Sequence, residues 1–188
     1  MTRRVTVPPV EVSELMQAQY RLDRETVERL LGEGHEPTVH EAAAIGDVER
    51  LRKLLDGDPA LVNAWSPDGG QPLHFAAFFG RVDACRLLVE RGADLDEHAR
   101  GFNGVAPINS AAANDAKPNE VCTEIVRLLL DAGADPEAAQ GGGSTALHSA
   151  AFAHNAELAR LLIGRGLDPD GATDDGRTAR SLAPGLFA

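Results

Sequence analysis

Positive charge and aromatic residues are both scarce in this sequence. Eighteen Lys and Arg face 29 Asp and Glu, which leaves a formal net charge of −11 at pH 7 across 188 residues. Phosphate backbones and anionic membrane surfaces repel so acidic a chain, so we expect neither nucleic acid nor a membrane as its partner. With only six Phe, one Trp and one Tyr, the position of each aromatic residue is informative.

Long apolar runs are missing as well, and cysteine is rare. No stretch approaches the roughly 18 apolar residues of a membrane-spanning helix, and no apolar run of an export signal follows the two arginines near the N-terminus. Cys85 and Cys122 lie in Leu- and Val-rich stretches, which suits reduced thiols in a core better than a disulfide. These features together favour a cytoplasmic protein.

The sequence does contain a repeated pattern. The segment Pro72-Leu-His-Phe-Ala-Ala77 recurs loosely at three other places, which are Thr38–Ala43, Pro107–Ala112 and Ala146–Ala151. Behind each copy, apolar residues spaced three and four apart predict a helix with one apolar face. Three of these second segments stop at a glycine that can end a helix in a left-handed conformation, namely Gly92, Gly133 and Gly166.

A period of about 33 residues with a Thr-Pro-Leu-His-like start, paired helices and a Gly-Ala-Asp ending resembles the ankyrin repeat family. The resemblance covers about residues 37–188 and implies an all-α solenoid of about four repeats with a C-terminal half-repeat cap. The segments that we expect along the chain are a flexible N-terminus at 1–11, an N-terminal helical cap at 12–36, repeats at about 37–66, 67–100, 101–140 and 141–173, and a cap at 174–188.

The third copy is longer than its neighbours, by about six residues between Ala113 and Glu124. We expect Pro118 to end the first helix of this repeat early and Asn119 to cap the second. The insertion then lies at the edge of the concave face, where Asn114 is a candidate contact residue.

His40, His74 and His148 occupy equivalent positions, so stacking of the repeats aligns them in a row. The resemblance implies that such a histidine hydrogen-bonds to backbone or Thr groups between neighbouring repeats, which satisfies a half-buried ring. Asn109 interrupts the row and would break a row of metal ligands. We therefore predict neither a metal site nor a cofactor.

In ankyrin repeats the partner-contacting positions are the hairpin tip and the two residues after the Ala-Ala pair. The resemblance places four of the six Phe residues at such positions, and Trp65 lies just before a tip. We therefore predict a protein-binding module with aromatic anchors on its concave face and an acidic rim that favours a basic partner. The anchors are Trp65, Phe78, Phe79, Phe102 and Phe152, and their polar neighbours are His98, Asn103 and Asn114.

The sequence does not determine which group packs over these rings, and several candidates are compatible with it. They are a protein partner, a small apolar ligand, the two N-terminal helices, a second subunit, or the rings packed against one another. A small ligand in an apolar pocket would suit a different function, that of a cofactor-independent enzyme with a histidine as acid or base. The candidates for that role are His98 and His154, the latter at the place where these repeats usually carry an inter-helix glycine.

Overall fold

The computed structural model describes residues 12–113 and 117–187, so residues 1–11, for which we predicted flexibility, lie outside the described residues. The described residues form an all-α solenoid of stacked helix pairs, as the repeated pattern predicts. The helices are α1 (Glu14–Tyr20), α2 (Arg24–Gly32), α3 (Val39–Ile45), α4 (Val48–Gly57), α5 (Pro72–Phe78), α6 (Val82–Glu90), α7 (Pro107–Ala112), α8 (Asn119–Asp131), α9 (Ala146–Phe152), α10 (Ala156–Gly164) and α11 (Ala179–Leu182). Two short strands, β1 (Ala139–Gln140) and β2 (Ser144–Thr145), pair antiparallel in one hairpin. In the part of the chain that the structure describes, no helix combines the length and apolar character needed to cross a bilayer.

Local hydrogen bonding and backbone conformation set the helix boundaries. At the start of α3 the Thr38 hydroxyl accepts a hydrogen bond from the Glu41 N–H, and the Glu41 carboxylate accepts one from the Thr38 N–H at 2.8 Å. This reciprocal pair is a capping box, which satisfies two N–H groups that the helix cannot. The predicted left-handed glycines at helix ends are confirmed, with φ values of 83° at Gly92 and 102° at Gly133 and Gly166.

Successive repeats stack through their inner helices α3, α5, α7, α9 and α11. These helices carry the repeated Ala pairs, and fully buried alanines such as Ala76 and Ala111 let neighbouring helices pack closely. The outer helices α4, α6, α8 and α10 pack behind them and bury Leu or Ile side chains such as Leu51, Leu88 and Ile125. One continuous apolar core therefore runs along the array.

Two helices precede the first repeat. α1 packs against α2 and α3, and its Leu15 is completely buried. Met16 of α1 joins Ala44, Phe75 and Phe79 in a smaller apolar cluster beside the main core. Val27 is the one buried residue of α2. The N-terminal pair therefore covers the first inner helices mainly through α1.

Backbone hydrogen bonds join the tips of successive hairpins. They run from Arg100 N to Gly69 O at 2.8 Å, from Gly141 N to Asn103 O at 2.8 Å, and from Asp174 N to Gly142 O at 2.9 Å. Because each hairpin is tied to the next, the hairpins form a continuous wall beside the inner helices. The concave face lies between this wall and the helices.

The longer third repeat has a different helix start from the one we predicted. α7 ends at Ala112, and α8 begins with Asn119 as its first helical residue. The prediction that Asn119 caps α8 was wrong, because Pro118 occupies the N-cap position with extended backbone. Its carbonyl opens the helix by accepting the Cys122 N–H at 3.1 Å.

Lys117, in the same insertion, reaches the ends of two inner helices. Its ammonium donates hydrogen bonds to the carbonyls of Phe78 at 2.9 Å and Ser110 at 3.1 Å, and also to that of Ala113. These carbonyls lie at the C-terminal ends of α5 and α7, where the helix dipole favours a cation. The insertion therefore supplies one cationic cap for two neighbouring helices.

Both cysteines lie in the core. Cys85 and Cys122 are buried and are not joined by a disulfide, which confirms the prediction of core thiols. Burial raises the pKa of the Cys85 thiol to about 12, so this residue behaves as a small apolar side chain at neutral pH.

Candidate functional site

Five aromatic residues meet at the N-terminal end of the concave face. We call them the aromatic cluster, and they are Tyr20 from α1, Phe75, Phe78 and Phe79 at α5, and Phe102 from the next hairpin. Ring centroids are 5.7 Å apart for Tyr20 and Phe79 and 6.3 Å apart for Tyr20 and Phe102. Phe75 and Phe102 are 6.2 Å apart. Separations of this size are those of favourable aromatic pairs.

A cavity of about 200 Å³, which we call the aromatic pocket, adjoins this cluster. Its lining is mostly apolar and includes no Asp, Glu, Lys or Arg. The lining residues are Tyr20, His74, Phe75, Phe78, Phe102, Val105, Asn109, Ser110, Ala113, Gln140 and Ser149. They come from α1, from three inner helices and from two hairpins, so only the folded array assembles the pocket.

Phe102 forms part of the rim and has an unusual backbone conformation. Its φ is +50°, and its side chain is 43% exposed. For a bulky residue this left-handed conformation costs on the order of 1–3 kcal/mol. The next residue holds it in place, because the Asn103 side chain donates to Gly141 O at 3.0 Å while its carbonyl accepts the Gly141 N–H at 2.8 Å. Strain that the surroundings maintain in this way is concentrated at functional sites.

Tyr20 covers one side of the pocket and is fixed by a carboxylate. Its hydroxyl donates a hydrogen bond to Asp68 Oδ2 at 2.6 Å, and the other carboxylate oxygen accepts one from the Ser66 hydroxyl. Burial, together with the hydrogen bond and charge of Asp68, raises the pKa of Tyr20, so the phenol stays a protonated donor. This contact ties α1 to the hairpin that carries Asp68.

The most buried polar side chains of the lining are already engaged by the backbone. His74 Nδ1 accepts the Gln71 N–H at 3.2 Å, and its Nε2 donates to Glu97 O at 3.0 Å. Burial lowers the pKa of His74, so the ring is neutral. Asn109 replaces it in the next repeat, where its amide donates to Ala138 O at 3.0 Å and its Oδ1 accepts a backbone N–H at 3.1 Å. The predicted structural role is confirmed at these two positions.

The two ends of the row of equivalent histidine positions, His40 and His148, differ in their hydrogen bonds. His40, at one end, donates from Nε2 to Ala64 O at 2.8 Å. His148 Nδ1 accepts the Thr145 N–H at 3.2 Å, but its buried Nε2 has no hydrogen-bond partner within residues 12–113 and 117–187. The hairpin that follows belongs to the C-terminal end of the array, and it does not supply the carbonyl that completes the row in the earlier repeats.

A second depression continues the aromatic pocket along the concave face. It has a volume of about 460 Å³ and shares Ala113, Gln140 and Ser149 with the pocket. We call it the polar trough, because hydroxyl, amide and guanidinium groups contribute to its lining. Phe152 lies in the trough and is 78% exposed. Pocket and trough together form one groove across several repeats.

The structure places the four predicted Phe anchors in three environments. Phe78 and Phe102 line the aromatic pocket, and Phe152 lines the polar trough. Phe79 is only 5% exposed, because α1 packs over it through Met16 and Tyr20. The expectation that Phe79 presents its ring to a partner does not fit this burial, since the N-terminal helix already covers it.

The remaining predicted contact residues do not line the aromatic pocket. Trp65 is half-buried, with the Arg100 guanidinium carbon 3.9 Å from its ring centroid. His98 is exposed and donates from Nε2 to Ala139 O at 3.1 Å. Asn103 pairs with the next hairpin as described above, and Asn114 lies outside the described residues.

Neither histidine considered above as an acid or base lines the aromatic pocket. His98 is bonded to the hairpin, and His154 is exposed in a left-handed turn with φ of +51° between α9 and α10. The histidine in the pocket wall is His74, whose two ring nitrogens are both occupied. Among the residues that the structure describes, no three His, Cys, Asp or Glu side chains are grouped so as to hold a metal ion.

Sequence reasoning missed two residues that line the aromatic pocket, Tyr20 and Phe75. It also missed Lys117, which bonds to the carbonyls at the ends of α5 and α7. Phe75 carries a detectable signal, because the other three copies have Glu or Ser at its position. Tyr20 carries none, because its hydrogen bond to Asp68 joins residues 48 positions apart in the chain. Lys117 lies in the insertion, where no repeat position indicates its direction.

Comparison with known sequences identifies this architecture. A sequence model of ankyrin repeats in three copies matches residues 15–99, 39–140 and 110–183. The chain belongs to the ankyrin repeat family. Ankyrin repeat proteins generally act as protein-interaction modules, so a groove on the concave face of such an array is a natural recognition surface.

The ankyrin array resembles parts of proteins with different overall organisation. It is 33% identical over 103 residues to Ankyrin repeat and SAM domain-containing protein 6 of Mus musculus, a match that covers 55% of this chain and 11% of that protein. It is 42% identical over 57 residues to Serine/threonine-protein kinase VIK of Arabidopsis thaliana, covering 30% of this chain and 13% of the kinase. It is 32% identical over 98 residues to Protein phosphatase 1 regulatory subunit 27 of Mus musculus, covering 52% of this chain and 58% of that subunit. The chain therefore spans only part of each of these curated relatives.

Proposed function

We propose that this ankyrin array binds a protein partner that inserts an anchor side chain into the aromatic pocket. The observation that carries the proposal is the exposure of the rings, since Phe102 and Tyr20 remain 43% and 38% exposed beside a mostly apolar cavity. Full burial of an exposed ring is favourable by roughly 1.5–3 kcal/mol, and covering the part of Phe102 that is still exposed contributes a share of that free energy. Binding energy in protein interfaces is concentrated at aromatic anchors of this kind.

The size of the aromatic pocket favours an anchor side chain over an enclosed small molecule. Its volume of about 200 Å³ is below the roughly 300–1,000 Å³ of sites that enclose such ligands. The adjoining polar trough offers Gln140 and Ser144 to the polypeptide that carries the anchor. A partner therefore uses both parts of the groove at once.

The charge of the array supports a basic partner. The chain carries a net charge of −11. Arg177, the charged side chain among the described groove-lining residues, is paired with Asp175 at 2.8 Å. Asp68, bonded to Tyr20, and Asp174, next to Thr173, adjoin the lining without forming part of it. Neither of them belongs to an ion pair among the described residues. Cationic groups on the partner thus meet complementary charge, which speeds association and contributes to specificity.

We also infer a cytoplasmic location from the cysteines. Cys85 and Cys122 are buried without a disulfide between them. Thiols in this state are typical of compartments that keep cysteine reduced.

Partner capture with matched variants tests the proposed function. The full chain is immobilised, exposed to lysate, and the bound proteins are quantified by mass spectrometry for the wild type and for Phe102→Ala. Loss of one hot-spot ring is expected to weaken the specific partner by about 10-fold or more. The control is Ile163→Ala on α10, which removes an apolar side chain that is 39% exposed and lies outside the groove.

The comparison between these two variants decides the outcome. Proteins that bind the wild type and the Ile163→Ala variant but not the Phe102→Ala variant support the groove as the recognition surface. If the Phe102→Ala variant retains every protein that the wild type captures, recognition does not use the aromatic pocket and the proposal is wrong.

A further inference from the structure

A second cavity lies between the N-terminal helix pair and the helix ends of the first two repeats. It has a volume of about 480 Å³, and we call it the N-terminal cavity. It shares no lining residue with the aromatic pocket or the polar trough, so it is a separate site from the groove. We infer that this cavity binds a small monocarboxylic acid with an aliphatic tail, and that Arg24 and Arg81 hold the carboxylate.

Two guanidinium groups border the N-terminal cavity without a carboxylate partner. Arg24 is the first residue of α2 and Arg81 is the N-cap residue of α6, and neither belongs to an ion pair among the described residues. Burial and the positive charge of Arg24 lower the pKa of Arg81, so the two like charges repel each other. Both stand at the start of a helix, where the helix dipole disfavours a cation and favours an anion. One carboxylate between them offsets both effects.

Arg81 occupies a position where other repeats carry a helix-capping side chain. Before α4 and α10, Asp47 and Asn155 accept backbone N–H bonds from their helices at 2.9 and 3.0 Å. Arg81 makes no such bond, so α6 lacks this stabilising contact. Its Nε donates to Ala44 O in the last turn of α3 at 2.8 Å, which fixes the direction of the side chain. The terminal nitrogens of the guanidinium then remain available to a ligand.

A buried amide lines the same cavity without a hydrogen-bond partner. Gln19 of α1 is 8% exposed and belongs to the lining. Its side-chain amide makes no hydrogen bond within residues 12–113 and 117–187. Buried polar groups are normally paired, so this amide indicates a ligand with hydrogen-bonding atoms. Its N–H groups suit a carboxylate oxygen, as the guanidinium donors do.

Apolar side chains of the lining suit an aliphatic tail. Leu22 and Leu31 are 57% and 37% exposed, and Val27 and Ile45 line the cavity with them. Leu22 also has a left-handed backbone with φ of +57°, which is unfavourable for a branched side chain. A tail that covers these side chains removes apolar surface from water, which favours binding.

The remaining charges of the lining favour a ligand with a single negative charge. Asp23 and Asp47 are engaged at helix starts, where they accept the N–H groups of Thr26 and Arg50. Together with Glu28 and the net charge of −11, they repel phosphates and other dianions. The volume of about 480 Å³ is within the roughly 300–1,000 Å³ of sites for small molecules. A monocarboxylate with an apolar tail therefore fits both the charge and the size of the cavity.

Three small probes test the two parts of the ligand. Sodium hexanoate, hexanamide and sodium acetate are each titrated into the full chain while the methyl resonances of Leu22, Leu31 and Ile45 are followed by NMR. Hexanoate is expected to bind at least about 10-fold more tightly than hexanamide, its neutral isostere, and than acetate, which lacks the tail. Hexanoate that does not shift these methyl resonances overturns the inference, and so does an equal affinity for hexanoate and either of the other probes.

Arg24→Gln tests the carboxylate contact without disturbing the fold. The Arg24 side chain is exposed and makes no hydrogen bond or ion pair among the described residues. Its replacement is expected to weaken hexanoate by about 10-fold, because a charge-assisted hydrogen bond is lost, and to leave hexanamide unchanged.

The matched control is Arg52→Gln on α4, which removes the same charge from an exposed position outside the N-terminal cavity. This variant is expected to bind hexanoate as the wild type does. If both variants weaken hexanoate equally, the anion responds only to the net charge of the chain and the inference is wrong. An Arg24→Gln variant with the affinity of the wild type contradicts it as well.

Discussion

Replacing Lys117 with methionine is expected to lower the free energy of unfolding by about 3 kcal/mol. The change removes an ammonium that donates to Phe78 O at 2.9 Å, to Ser110 O at 3.1 Å and to Ala113 O. A hydrogen bond to a charged group contributes about 1.5–3 kcal/mol, and each helix-end carbonyl left without a donor adds to the loss. Part of the loss is offset, because the ammonium no longer has to be desolvated and methionine gains apolar contacts.

Urea denaturation of the full chain, followed by circular dichroism, measures this loss. The matched control is Lys53→Met, which removes an exposed lysine from α4. A loss of about 3 kcal/mol corresponds to a decrease of roughly 6–12 °C in Tm for a chain of this size, whereas an exposed substitution changes stability by less than about 0.5 kcal/mol. If the two variants unfold at the same urea concentration, Lys117 does not stabilise the ends of α5 and α7 and the reasoning is refuted.

Three further predictions follow from burial, backbone conformation and titration. Phe79→Ala is expected to cost about 3–5 kcal/mol in chemical denaturation because the ring is 5% exposed, and Phe152→Ala less than about 0.5 kcal/mol because its ring is 78% exposed; equal losses would contradict the assigned burial. Leu22→Gly is expected to raise the free energy of unfolding by about 1 kcal/mol, since Leu22 is 57% exposed with φ of +57°; a loss of stability would argue against strain there. His74→Asn, which copies Asn109, is expected to flatten the decrease of stability below pH 6.5. The reason is that burial lowers the folded-state pKa of His74 from 6.5, so the unfolded chain binds more protons and stability falls as the pH drops; unchanged pH dependence in denaturation curves would contradict this.

Much of the fold is predictable because each repeat carries its own local instructions. The Pro-Leu-His-like starts, the apolar spacing of three and four, and the terminal glycines act within a few residues of one another. Gly92, Gly133 and Gly166 accordingly adopt the left-handed conformation that their positions indicate. The boundary in the third repeat was less predictable, since Pro118 and Asn119 both suit a helix start and the extended backbone at Pro118 decides between them.

The candidate site was predictable only in part. The resemblance indicates that Phe78, Phe102 and Phe152 face the groove, and the lining of the pocket and trough agrees with this. It cannot indicate that Phe79 is covered, because the cover comes from α1, outside the repeats. Nor can it indicate the strain at Phe102, whose left-handed backbone depends on the bonds between Asn103 and the next hairpin.

The sequence by itself therefore determined that this chain is an ankyrin solenoid, because helix pairs of one pattern bury their apolar faces by stacking on their nearest neighbours. Only the tertiary structure decided which rings remain accessible. That outcome depends on contacts between distant residues, such as Tyr20 with Asp68 across 48 positions and Lys117 with the Phe78 carbonyl across 39. No periodic pattern encodes such contacts, because each forms once, where an N-terminal helix or an insertion meets the array.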